Sequence, residues 1–192
     1  VWRTSGRPKR VYRGACVLAD SDGAIRAAVD LPLQGQGERP RDHTWFQRLR
    51  DAGADSLGMH LEAATQAVRE RIMPGKATVS VTRYMDAFAQ AVPVFGRGQV
   101  NTYILAGLGD SAMDILALAE RLITLGVYPF VVPFVPISGT PLENHAPPSA
   151  EFMKSVLAPL GRMLREAGMK STDIRAGCGR CGACSSLSAY EQ

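Results

Sequence analysis

At 192 residues, with 46% of them hydrophobic and 21% charged, the chain has the size and composition of one folded, soluble domain with a substantial buried core, which excludes a disordered segment. No apolar run approaches membrane-spanning length, and no apolar stretch follows the basic residues of VWRTSGRPKRVYRG, so neither a membrane partner nor a secretory signal is read and a cytoplasmic location is expected. The net charge of +4 gathers partly in the arginine-rich first fifty residues, but acidic residues are interleaved there; with neither clustered Lys/Arg nor stacked aromatics, nucleic acid is not an expected partner.

In chain order, short β-branched or apolar runs alternate with amphipathic stretches. VWRTS is read as a first strand. LPLQGQGE (31–38) is a strand ending in a glycine-rich turn, and HTWFQRLRDAGA follows as a helix with Trp45, Phe46 and Leu49 on one face. SLGMHLEA is the next strand, and AATQAVRERI is a helix stopped by Pro74 and Gly75. TRYMDAFAQAVPVF carries Tyr84, Phe88 and Val92 at helical spacing; VNTYILAGL is a strand; SAMDILALAERLITLG is a periodic helix with Gly126 at its end. VYPFVVPFVPISGTPL is a strand whose prolines argue for an edge or a bend at Pro133 and Pro136, and a last helix over about 150–167 leads into a cysteine-rich tail.

Strands separated by crossover helices imply an α/β fold with a parallel sheet that curves into a barrel. Five strands are counted, and a closed eight-fold barrel takes about 250 residues, so the expectation is a partial, open (β/α) barrel over residues 1–170 with a metal-binding tail over 171–192. Ligands of such folds sit at the carboxyl ends of the strands, which makes the turns at 4–8, 34–40, 58–63, 105–111 and 134–141 the informative segments.

AGLGDS is a glycine-rich strand-to-helix loop whose amides could receive an anion or lie against a planar ring; it could equally be a tight connection with Asp110 or Ser111 as helix cap. His60 and Glu62 alternate on one strand face, as pocket groups or as a pair bonded to each other, and Glu38 adds a second carboxylate at the same rim. The tail GCGRCGACSS spaces Cys178, Cys181 and Cys184 by two residues each. A closed zinc site needs a fourth ligand, for which Cys16 or His145 would have to be recruited; iron–sulfur clusters accept such runs, and a reduced tail without metal is the alternative. Cys16, alone in an apolar helix, is read as core packing.

Taken in order, GMHLEA, ILAGLGDS and PFVPISGTPLE resemble the successive cofactor-contacting strand ends of radical S-adenosylmethionine (SAM) enzymes of the biotin-synthase-like branch. RLRDAGADSLGMHLEA and VPFVPISGTPLENHAPPS further resemble the radical SAM protein family encoded beside a nitrilase in bacterial gene clusters. The resemblance implies that Thr4, Ser5 and Gly6 meet the SAM amino group, that His60 and Glu62 handle its ribose and carboxylate, that Tyr103 to Gly109 (including Gly107) lie beside the adenine, and that Val135 to Ile137 close over it. It also implies a 4Fe–4S cluster, an electron donor such as flavodoxin or ferredoxin, and a 5′-deoxyadenosyl radical that abstracts hydrogen from a small-molecule substrate.

The sequence departs from that family in one respect. The family's Cys-x3-Cys-x2-Cys loop, whose thiolates hold the SAM-chelating cluster, does not occur in it, and the tail run differs in spacing and follows the last helix. With Val rather than Met first, the expectation is that the loop and a further strand lie upstream, that this chain alone is inactive, and that the tail cysteines hold an auxiliary cluster. The alternative is a non-catalytic iron–sulfur or zinc protein on a barrel-remnant scaffold.

Overall fold

The computed structural model describes residues 10–192, with side chains from residue 19 onward. The expected first strand and Thr4, Ser5 and Gly6 lie outside the described residues, as does the side chain of Cys16, within helix α1 (Arg10–Ala28).

After α1 the chain runs β1 (Gln34–Gln36), α2 (Thr44–Asp51), β2 (Ser56–Gly58), α3 (Gln66–Ile72), α4 (Pro74–Ala77), α5 (Val81–Phe95), β3 (Val100–Ala106), α6 (Ala112–Leu125), β4 (Val127–Pro133) and α7 (Ala150–Glu166). Among the described residues the sheet therefore has four strands, all parallel, in the order β1-β2-β3-β4. Sequential order with a helix in every crossover is the pattern of a (β/α) barrel, and the four strands are consistent with part of one. No helix among the described residues is long and apolar enough to cross a membrane.

The periodic segments fold as their patterns dictate. α5 buries Tyr84, Ala87, Phe88 and Ala91, and α6 buries Ile115, Leu118, Ala119 and Leu122. α6 starts with Ser111 as N-cap in a reciprocal capping box with Asp114 and stops at Gly126, whose φ of 89° only glycine adopts freely. Pro74 does not simply stop a helix. α3 ends at Ile72, and Pro74 starts the four-residue α4, where its missing N–H costs nothing. β4 ends at Pro133 and is an edge of the four-strand sheet, as its prolines require.

The sheet registers contain an irregularity that matters for the site. Gly58 pairs with Asn101, yet the next bridge joins Glu62 to Ile104, so β2's continuation carries one more residue than β3 over the same span. This is a bulge. Within it Leu61 N–H donates to Thr102 Oγ1 at 2.9 Å, the wholly buried Arg69 donates to Leu61 O at 2.5 Å, and Glu62 takes a φ of 69°, rare for a side-chain-bearing residue.

Residues 171–192 fold back against the sheet through a 3₁₀ turn (Ser171–Asp173), α8 (Cys178–Cys181) and a second 3₁₀ turn (Leu187–Tyr190). Gln99 Nε2 donates to Asp173 O and its Oε1 accepts from Arg175 N–H; Ser56 Oγ donates to Ala176 O; Ser185 Oγ donates to Val131 O. Tyr128 donates its hydroxyl proton to the buried Glu191, whose other oxygen accepts from Ser171 N–H and Oγ–H.

Candidate functional site

The pleat puts Gln34, Gln36, Gly58, Asn101, Tyr103, Leu105 and Phe130 on one face, because each is two residues from the next along its strand or is register-paired with it. The tail covers the lower part of this face, where the strands begin. At their carboxyl ends the face opens into a cavity of about 140 Å³ lined by Gln36, His60, Glu62, Tyr103 and Leu105.

The bulge delivers His60 and Glu62 to that cavity as separate groups rather than as a pair bonded to each other. His60 Nδ1 accepts the Tyr103 backbone N–H at 3.1 Å, and its ring meets the Tyr103 ring edge-on at 4.5 Å. Burial, reinforced by the Lys76 ammonium, lowers the His60 pKa to about 4. Its neutral ring therefore carries the proton on Nε2, which is buried and has no partner among the described residues. Glu62 is held by Lys76 at 2.5 Å, and the same ammonium reaches Glu38 at 3.5 Å. Glu38 also accepts the Tyr84 hydroxyl at 2.8 Å; burial and that carboxylate push the Tyr84 pKa up. Lys76 thus joins Glu38 to Glu62 beside His60 at one rim. Lys76, on the helix that Pro74 starts, was missed from the sequence because its segment read as a helix stop.

The glycine loop after β3 serves partly as a connection. Gly107 (φ 103°) and Gly109 (φ 119°) need their conformations, and their vacant side-chain directions point at Pro148 and Arg71 respectively. Asp110 does not cap α6. It is buried and accepts from Ala64 N–H, Thr65 N–H and Thr65 Oγ–H at 2.6–3.0 Å, binding the turn after β3 to the turn after β2. Val135 and Ile137 are exposed and line a second, apolar cleft of about 250 Å³ with Ile72, Phe134, Thr140, Pro141 and Leu142.

The three tail thiols are free. They lie near Tyr103, whose hydroxyl pKa is pushed up by burial first and then by Cys178, Cys184 and Cys181 beside it. Among the described residues, no three His, Cys, Asp or Glu side chains form a group that could hold a metal ion. As arranged, the thiols face one tyrosine without forming a ready ligand set.

No family model matches the chain. It is 32% identical over 134 residues to the dual-specificity RNA methyltransferase RlmN of Solidesulfovibrio magneticus, covering 69% of this chain and 38% of that protein. It is 28% identical over 116 residues to the bacteriochlorophyllide c C-7(1)-hydroxylase of Chlorobaculum limnaeum, with coverages of 59% and 29%. It is 30% identical over 150 residues to biotin synthase 2 of a Polaromonas species, with coverages of 71% and 41%. The chain therefore spans well under half the length of these three relatives. All three are radical SAM proteins, and their similarity supports that superfamily for this chain.

Proposed function

We propose that this chain forms part of the barrel of a radical SAM enzyme and binds the SAM nucleoside along the carboxyl ends of β2, β3 and β4. The observation that carries this reading is the bulge at residues 59–62, which turns His60 and Glu62 into one cavity with Tyr103 and Leu105. A non-glycine residue at positive φ in a candidate site is strain that the buried Arg69 and the Lys76 ion pair stabilise, and strain of this kind clusters at ligand clamps. Glu62 would accept from ribose hydroxyls, His60 Nε2–H would donate to an acceptor, and the apolar cleft at Val135 and Ile137 would take the adenine.

SAM cleaved by a reduced cluster supplies a hydrogen-abstracting radical. The residues present do not fit that cluster: the Cys-x3-Cys-x2-Cys loop does not occur in this sequence, and the described residues hold no three-ligand group. What the chain's own residues do is bind, orient and shield. Metal or iron–sulfur binding by Cys178, Cys181 and Cys184 is part of the proposal and requires their side chains to move together; an electron donor of the flavodoxin or ferredoxin kind would serve the complete enzyme. The three relatives are named for different targets, an RNA among them, so the small-molecule substrate is proposed from the sequence resemblance and not from these names.

Calorimetric titration of the full chain with SAM tests the reading. Binding is expected, weakened roughly tenfold or more in Glu62→Gln, where a charge-assisted acceptor becomes neutral. A chain that is folded by circular dichroism but gives no heat with SAM would sink it. Anaerobic addition of iron and sulfide, followed by metal counting, tests the tail: iron retained by the chain and lost from the triple Cys→Ala variant supports it, and equal retention by both removes the tail from the proposal.

A further inference from the structure

Below the rim cavity, the inner face of the sheet holds buried polar groups with no hydrogen-bond partner among the described residues. Asn101, the second residue of β3 and 1% exposed, has both its amide nitrogen and its amide oxygen unpartnered among the described residues, so the finding holds whichever way round the amide is placed. Nε2 of Gln34 and Nε2 of His60 are buried and unpartnered as well. The three groups converge over one glycine. A Cβ at Gly58 would stand 3.2 Å from Asn101 Oδ1, 3.2 Å from His60 Cε1 and 3.5 Å from Gln34 Nε2. The tail packs against this group from the opposite end, where Gly177 lies against the Gln34 amide and Ala176 is tied to Ser56.

Unpaired buried polar groups destabilise a fold, and apolar side chains of the same shape would pack here at no such cost. Their arrangement therefore suits a ligand that completes the bonds. Its chemistry follows from the inventory. Asn101 offers a donor and an acceptor side by side, and His60 offers a donor, because the Tyr103 N–H occupies Nδ1. Neither residue is charged at neutral pH, and the nearby cation, Lys76, is committed to Glu62 and Glu38. Among the three side chains that meet over Gly58 none carries a charge for an anion, which would be desolvated there.

We propose that the inner face binds a small uncharged molecule through an amide-type edge, a primary carboxamide or a lactam-like ring, with Asn101 pairing to its acceptor and donor and His60 donating to a further acceptor. Taken as the substrate's place this rests on the SAM reading; taken as a binding site it does not.

Saturation-transfer NMR on the full chain tests it, with nicotinamide, 2-pyrrolidone and uracil as amide probes and nicotinate and benzoate as matched acids. The amides are expected to bind with Kd near or below about 1 mM and the acids not. Asn101→Leu is expected to lose amide binding at least tenfold while resisting urea as well as or better than the parent, since it removes unpaired polar atoms. Gly58→Ala, which puts a methyl group among the three side chains, is the second variant and is expected to lose binding too. Acids binding as well as amides, an Asn101→Leu chain that binds them undiminished, or no amide binding at all would each overturn the proposal. Amide binding without SAM binding would leave this site standing and remove the SAM reading; SAM binding without amide binding would do the reverse.

Discussion

Asp110 illustrates how one side chain can fix the geometry of two strand ends. Its carboxylate accepts three hydrogen bonds from the turn after β2, and it is 5% exposed. Asp110→Ala leaves those donors buried without an acceptor, so a loss of about 2–4 kcal/mol is expected from urea unfolding; a loss below about 0.5 kcal/mol would show that solvent replaces the bonds. His60 makes a prediction of opposite character. Its folded pKa, lowered to about 4 by burial and Lys76, lies below its ordinary 6.5, so between those values the unfolded chain binds a proton that the folded chain does not. Stability should be flat above about pH 7 and fall by about 3 kcal/mol as pH drops toward 4. His60→Gln should flatten that part of the profile; an unchanged slope in the variant would assign it to other groups.

At the scale of elements, the long helices were legible nearly to their ends, and the strands in their positions but not in their lengths. The helix expected over 82–95 is Val81–Phe95, and the one expected over about 150–167 is Ala150–Glu166, because each buries a continuous apolar stripe that its period already shows. The segment 56–63, expected as one strand, pairs regularly only over Ser56–Gly58 before the bulge, because register depends on the partner strand. Pairing of α7 with the tail is equally invisible in the sequence. Gly161 of α7 has its side-chain direction filled by the backbone of Tyr190, so Gly161→Ala must push the last turn away. A destabilisation of about 1–3 kcal/mol is expected, with hydrogen exchange rising over residues 187–191 in particular. Faster exchange confined to α7 itself would contradict that coupling.

For the molecule as a whole, residues 171–192 complete the interior. Ile174 and Leu187 are buried in the main core, and Tyr128, Gln99 and Ser56 bond to the segment. Ending the chain at residue 170 removes both the apolar cover and those partners. The expected loss is several kcal/mol, comparable with the whole stability of about 5–15 kcal/mol of an ordinary domain. Calorimetry should find no sharp cooperative transition in the shortened chain; a transition within a few degrees of the parent's would show the segment to be an appendage.

By itself the sequence determined the alternation of strands and helices, the glycine positions that end them and the superfamily resemblance, because these depend on local periodicity and on residues close together in the chain. Only the tertiary structure decided that Lys76 joins Glu38 to Glu62, that a one-residue bulge turns His60 and Glu62 into the same cavity as Tyr103, and that Asn101 and Gln34 stand unpaired beneath it. Those contacts join residues far apart in sequence, and their geometry is set by register and packing, which no single segment encodes.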